Sequence, residues 1–297
     1  MITKAQFKRA IEREEFRVVY QPIVVLADGR CAGAEVLVRW QREDGALLPP
    51  DRFLAAAQRH GYLNAITDRV LQQTVSDLAP TLRAHRCLHA AVNIPAQDVN
   101  SGRILEVLDA ALAGTGIVPG QLWLEITESS SMETLPSRET LSRARERGHL
   151  IALDDFGTGY SCLRYLHELP CDVLKLDRSF VIGIGTDHEH PVLACIIDLA
   201  RKLKLKIVAE GVETPVQARY LEQACVDYAQ GWHYARPMLA AEFARYCDRA
   251  IDGEKRRSGH RHQQPLRCPE PAQVAASGQA GPRTASHAGR GARARLG

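Results

Sequence analysis

The chain has 297 residues, 45% of them apolar, and a net charge of +3. The charge is uneven: residues 253–297 hold nine Lys or Arg against Glu254 and Glu270, a net +7, which leaves residues 1–252 at −4. The mildly basic balance therefore belongs to one end and excludes a basic nucleic-acid-binding core; no apolar run approaches the ~20 residues that span a bilayer.

In chain order, residues 3–14 read as a capped amphipathic helix. Residues 16–24 read as a strand in which Pro22 marks an edge, a bulge or the strand's end. Ala27-Asp28-Gly29 signals a tight turn into a strand over 34–40, so the chain opens with a hairpin. Helices follow at 51–59 and 66–83. Strands at 88–94, 122–126, 150–153, 173–176, 206–209 and 228–230 then alternate with helices at 104–113, 138–147, 161–168, 192–203, 215–224 and 241–250. Such alternation implies a largely parallel sheet, and about eight strands is the number of a TIM-like (β/α)8 barrel.

From Gly253 onward the sequence is Gly, Pro, Ala, Ser, Arg and His with scarcely any large apolar residue, so 253–297 is expected to be a disordered tail behind a barrel of residues 1–252. The eight cysteines are scattered without a Cys-x-x-Cys pair. They suggest neither a zinc cage nor a disulfide framework, and most read as small core residues of a cytoplasmic protein.

One rule organises the polar residues. Nearly every strand carries a carboxylate, amide or amine in or just past its apolar run: Gln21, Glu35 with Arg39, Asn93, Glu125 with Glu128, Asp154 with Asp155, Lys175 with Asp177, Glu210 with Glu213, and Gln230. The carboxyl ends of barrel strands converge on one rim, where active sites are built. Capping of the following helices is the plainer explanation for any one of them. Glu35, Asn93, Glu125 and Asp154 make an all-oxygen ligand set that suits Mg²⁺ or Mn²⁺ better than zinc. Asp155 is placed to hold a second ion ~4 Å from the first, which is equipment for phosphodiester hydrolysis. Lys175 adds positive charge, Glu210 offers a base or a further metal contact, and Arg39 offers a phosphate fork.

At these residues the chain resembles the EAL-domain family of cyclic di-GMP phosphodiesterases, over roughly residues 7–246. The resemblance rests on Tyr20-Gln21-Pro22-Ile23-Val24, Glu35-Val36-Leu37-Val38-Arg39-Trp40, Val92-Asn93-Ile94, Leu124-Glu125-Ile126-Thr127-Glu128-Ser129, Asp154-Asp155-Phe156-Gly157-Thr158-Gly159-Tyr160-Ser161, Leu174-Lys175-Leu176-Asp177, Val208-Ala209-Glu210-Gly211-Val212-Glu213, and Gln230-Gly231 with Arg236-Pro237. It implies a barrel with an antiparallel first strand, and metal-dependent opening of cyclic di-GMP to linear pGpG in a cytoplasmic, often homodimeric protein. It further implies metal ligands at Glu35, Asn93, Glu125, Asp154 and Asp155, with Glu210 near the second ion. A catalytic lysine falls at Lys175 and substrate contacts at Gln21, Arg39 and Gln230. Glu128 resembles a loop-ordering glutamate tied to dimerisation, and Asp177 and Glu213 resemble supporting residues.

Two departures stand out. Val36 replaces the alanine of the family's signature tripeptide, and overpacking beside Glu35 is expected to cost about 1–3 kcal/mol. Trp232-His233-Tyr234-Ala235 departs from the more usual residues after Gln230-Gly231. No cyclase or sensor module precedes the barrel in this sequence, so no regulation through such a fused module is expected. The alternative reading is a noncatalytic cyclic di-GMP receptor that signals through a protein partner.

Overall fold

An antiparallel hairpin opens the sheet. β1 (Phe16–Val25) pairs with β2 (Cys31–Gln41) from Phe16 opposite Trp40 to Val24 opposite Cys31. On its other side, among the described residues, β1 meets an isolated bridge from Tyr20 to Met238 and, at Val24 and Val25, the last strand. Tyr20 donates its N–H to Met238 on that sparsely paired side. Pro22, two residues on, turns its nitrogen the same way, so its missing N–H forfeits no ladder bond. A register irregularity at Ile23/Val24 follows it. A two-residue strand, β3 (Leu47–Leu48), lies against the outer end of β2.

From β2 the sheet continues in parallel through β4 (His89–Asn93), β5 (Leu122–Thr127), β6 (Ile151–Phe156), β7 (Val173–Leu176), β8 (Lys206–Ala209) and β9 (Tyr228–Ala229). β9 then pairs antiparallel with β1, which closes an eight-stranded barrel with one reversed strand. The computed structural model describes residues 2–127, 134–157, 162–186 and 191–257. Glu128 and residues 258–297 lie outside them. All the described residues belong to the first of the two units into which the chain divides, residues 1–262.

Helices cover the outer face. α1 (Lys4–Glu12) starts at a capping box between Thr3 and Gln6 and buries Phe7 and Ala10. In place of one helix over 51–59, Pro49 and Pro50 lead into a 3₁₀ turn, Pro50–Arg52, before α2 (Leu54–His60). α3 (Leu63–Ala84) follows, then α4 (Ala96–Asn100), α5 (Arg103–Leu112), α6 (Thr134–Glu146), α7 (Cys162–Glu168), α8 (Arg178–Val181), α9 (Leu193–Lys202), α10 (Pro215–Gln223) and α11 (Ala240–Arg257). α4 and α8 have five and four residues, too few for a helical period to register in sequence. α11 runs past the composition break at Gly253, because Glu254, Lys255, Arg256 and Arg257 are good helix formers that extend an existing helix cheaply. No described helix is long and apolar enough to cross a membrane.

Two apolar clusters result. The larger fills the space between barrel and helices; the smaller, with Ile23, Ala32, Ala91, Trp123, Ala152, Val173 and Val208, fills the barrel interior. His89 lies flat on Trp123 with ring centroids 3.5 Å apart, and Tyr228 meets both rings edge-on at 6.3 and 5.9 Å. Gly33 makes room for this stack: a Cβ there would sit 2.3 Å from the His89 carbonyl oxygen and 2.7 Å from its ring. The barrel is thus plugged at the end where the parallel strands start. Of Cys31, Cys87, Cys171, Cys195, Cys225 and Cys247, only the first and last are buried, so the expectation that most cysteines are core residues fails.

Burial pushes the His89 imidazole down to about 3, against a weaker opposing hydrogen bond with the Ala32 backbone. An unfolded histidine takes a proton below about pH 6.5, so between there and about pH 3 the unfolded chain binds more protons than the folded one. The contribution of neutral His89 is therefore complete above about pH 6.5 and falls by about 1.4 kcal/mol per unit as pH drops through that window. Urea melts of wild type and His89→Gln between pH 7 and 4 should show a shallower acid slope for the variant.

Candidate functional site

In a strand, residues two apart share a face. Beside the interior residues Ile23, Ala91, Trp123, Ala152, Val173 and Val208 this rule places Gln21, Asn93, Glu125, Asp154, Lys175 and Glu210. Glu35 lies opposite Gln21 across the hairpin, and Gln230 follows β9 directly. Each barrel strand thereby sends one polar side chain into the same level of the lumen, above the apolar plug.

Lys175 stands at the centre, 1% exposed. Its Nζ lies 2.7 Å from Glu210 Oε1, 2.8 Å from Glu125 Oε1, 3.0 Å from Asp154 Oδ1 and 3.8 Å from Glu35 Oε1. These short contacts set one ammonium directly against four carboxylates. Two amides lock the carboxylates to one another. Asn93 Nδ2 donates to Glu125 Oε2 at 3.1 Å and to Glu35 Oε1 at 3.4 Å; Gln230 Nε2 donates to Glu35 Oε2 at 2.6 Å and to Glu210 Oε1 at 3.4 Å.

Asp155 joins by a backbone device. Consecutive residues of a regular strand point to opposite faces, so Asp154 and Asp155 would diverge. The pairing of β6 with β7 slips between Leu153 and Phe156, and Asp155 takes a left-handed conformation with φ 53°. Its N–H donates to Asp154 Oδ1 at 2.9 Å. The bulge re-aims the second acid toward the lumen. Two trios of oxygens result, Glu35 with Glu125 and Asp154, and Asp154 with Asp155 and Glu210, each with its atoms within 4.8 Å of one another and with Asp154 shared.

The electrostatics call for more positive charge than the chain supplies. Five carboxylates face one ammonium, a formal excess of four negative charges. Burial raises Glu125 well above the usual carboxylate range; Lys175 opposes the rise, and Glu35 and Asp154 reinforce it. Burial likewise raises Glu210 to about 8 against the pull of Lys175. Asp155 is raised by burial and then by Asp154. Burial alone would depress Lys175, but the surrounding carboxylates together outweigh it and hold the ammonium charged. A buried all-oxygen donor set with this surplus of negative charge fits one or more divalent cations.

The other expected residues fall outside this cluster. Arg39, four residues beyond Glu35 on the same face of β2, is half-buried and donates from Nη1 to the Val38 carbonyl oxygen at 2.8 Å. Asp177 is the N-cap of α8, its carboxylate accepting from the Ser179 N–H. Glu213 pairs with Arg178 at 2.9 Å. Both are thus structural partners of one another's loops rather than members of the ring. Val36 is buried in the outer cluster, paired with Tyr20 and Val92, so its extra bulk points away from the lumen and Glu35 still faces inward.

Two features were not legible in the sequence. A cavity of about 530 Å³ opens beside Glu35 and Asn93, walled by Leu54, Leu63, Ile66 and Val70 of α2 and α3. In sequence these residues read as ordinary core positions. Two residues past Gln230, Trp232 is exposed, with the Arg236 guanidinium 4.1 Å above its ring.

The family model described as the EAL domain matches residues 4–237. The chain belongs to the EAL domain family. It is 40% identical over 242 residues to the Probable cyclic di-GMP phosphodiesterase PdeB of Escherichia coli strain K12, covering 82% of this chain and 46% of that one. It is 39% identical over 249 residues to the Cyclic di-GMP phosphodiesterase NbdA of Pseudomonas aeruginosa, covering 81% and 31%. The chain therefore spans less than half the length of these curated relatives. Among solved structures it is similar to the PaMucR phosphodiesterase in complex with c-di-GMP, at 34% identity and a TM-score of 0.75, covering 80% of this chain and 98% of that one. The fold of this EAL domain is accordingly the TIM-like barrel with an antiparallel first strand.

Removing the central cation isolates the acids. Lys175→Met should destabilise the EAL domain by about 3–5 kcal/mol at pH 8 in EDTA, the usual cost of stripping one partner from a buried charge cluster. The deficit should shrink at pH 6, where protonation of Glu210, raised to about 8, relieves the repulsion. Denaturant melts at the two pH values measure it.

Proposed function

We propose that this EAL domain is a metal-dependent phosphodiesterase that hydrolyses cyclic di-GMP to linear pGpG and so lowers the level of that second messenger. The observation that carries the reading is the pair of carboxylate trios sharing Asp154 at the open end of the barrel. Their surplus charge matches two divalent ions, with Mg²⁺ or Mn²⁺ as the hard cations suited to oxygen donors. Bound there, two such ions supply an activated water and neutralise phosphoryl oxygens.

The chain's own residues then take distinct parts. Glu35, Asn93, Glu125, Asp154 and Asp155 hold the ions, with Glu210 beside the second. Asn93 serves as a ligand through its amide oxygen, which requires its side chain to turn over from the orientation that donates to Glu35 and Glu125. Lys175 keeps a fixed positive charge at the level of the reacting phosphate, and Glu210, beside the second ion, offers a base. Gln230 and Gln21 contact substrate at the rim. Arg39 forks a phosphate oxygen from its half-buried position above Glu35. The cavity beside Glu35 and Asn93, mostly apolar with a few polar side chains among its walls, has the mixed lining that a base with its phosphate requires. The names of the relatives and the c-di-GMP in the PaMucR complex support this substrate. The working form is a cytoplasmic homodimer, in which Glu128 orders the loop after Asp155, and residues 258–297 play no part in catalysis.

Purified full-length protein with Mg²⁺ or Mn²⁺ should release pGpG from cyclic di-GMP, Ca²⁺ should inhibit because it accepts looser coordination, and Glu35→Ala should abolish turnover. Nucleotide binding without hydrolysis in either activating metal would instead make the domain a noncatalytic receptor. Ending the chain after Arg257 should leave pGpG release unchanged; a large loss would assign the tail a role in the site.

A further inference from the structure

Far from the carboxylate ring, at the end of the barrel where the parallel strands start, two thiols face each other. Cys31 begins β2 and Cys247 lies in α11, 216 positions apart in sequence, yet their sulfur atoms are 3.5 Å apart and both residues are buried. α11 follows the stretch matched by the family model and packs against β1, β2 and α3. The two residues differ in access. Cys247 is fully buried; Cys31 also lines a cavity of about 430 Å³ that reaches the plugged end of the barrel and includes the exposed Cys87. A small polar oxidant entering that cavity can reach Cys31 but not Cys247, which does not line it.

We propose that Cys31 and Cys247 form a reversible, oxidant-sensitive staple between the C-terminal helix and the barrel. The reaction balances with a hydroperoxide as oxidant. The Cys31 thiol attacks the peroxide O–O bond, which gives a sulfenic acid and one water when the peroxide is hydrogen peroxide. The Cys247 sulfur then displaces the sulfenic hydroxyl, forms the S–S bond and releases a second water. The two sulfurs lose two electrons in all and the peroxide gains them. Closing from 3.5 Å to the ~2.05 Å of a disulfide asks for a small side-chain movement, since the sulfurs are already neighbours. The hydrogen bond to Cys31 and then burial hold the Cys247 thiol protonated, which keeps the pair reduced until Cys31 is oxidised. A dithiol reagent reverses the bond by exchange. The staple joins the barrel to a helix that has no following structural element among the described residues, so its effect is to stop α11 from peeling away.

The test treats the full chain with hydrogen peroxide, blocks remaining thiols, and maps peptides by mass spectrometry without reduction. The expected product is a crosslink between the Cys31 and Cys247 peptides, two hydrogens lighter than their sum and lost on reduction. The thermal midpoint of the oxidised protein should rise by roughly 5–10 °C, as for a crosslink closing a long loop in a domain of this size. Cys87→Ser should form the same crosslink, and Cys247→Ser should lose both the crosslink and the shift. If Cys247→Ser folds poorly, the wild-type peptide map and the Cys87→Ser variant decide alone. Oxidation confined to Cys87, a crosslink from Cys87 to either partner, or separate overoxidation of Cys31 would overturn the proposal.

Discussion

The whole structure is arranged around the burial of one ammonium among carboxylates. Lys175 is sealed from water, and the acids around it lie on four different segments of the chain. Buried charges of this kind persist only when each is matched, and one lysine cannot match five acids. Asn93 and Gln230 lend two donors apiece to Glu35, Glu125 and Glu210, which fixes the carboxylates at short range without changing the charge. What remains is a standing demand for cations at one place.

The barrel makes that demand possible. Its lower interior is packed with Ala91, Trp123, Ala152, Val173 and Val208, and its base is plugged by the His89 and Trp123 stack over Gly33. With its base plugged, the barrel keeps the acids buried, while the cavity beside Glu35 and Asn93 leaves room for a substrate. The reversed first strand brings Gln21 and Glu35 into the same ring through a hairpin, which a chain of uniformly parallel strands would supply only through a long crossover. The left-handed residue at Asp155 adds the one acid that regular strand geometry would have turned outward.

Much of this was legible in the sequence because strand and ring share one period. An apolar run that ends in an acid, amide or amine, repeated strand after strand, announces both the barrel and its polar level, and the eight ring positions were all named from that pattern. Three things were hidden. Short helices such as Arg178–Val181 have too few residues to reveal a period, so the sequence did not show that Asp177 caps one. The outward direction of Val36 depends on alternation along β2, and only the pairing with Tyr20 and Val92 shows where its methyl groups go. The approach of Cys31 to Cys247, and the cavity under α2 and α3, arise from helix packing between distant segments, for which a linear pattern carries no signal.

The central claim is that oxygen donors from separate strands form a seat for two divalent ions. Anomalous diffraction from crystals of the protein grown with Mn²⁺ tests it without reference to turnover. Two manganese peaks are expected, one among Glu35, Asn93, Glu125 and Asp154 and one among Asp154, Asp155 and Glu210, about 4 Å apart as in two-metal sites. Crystals saturated with Mn²⁺ that carried no peak within the ring, with Lys175 still held between the carboxylates, would contradict it.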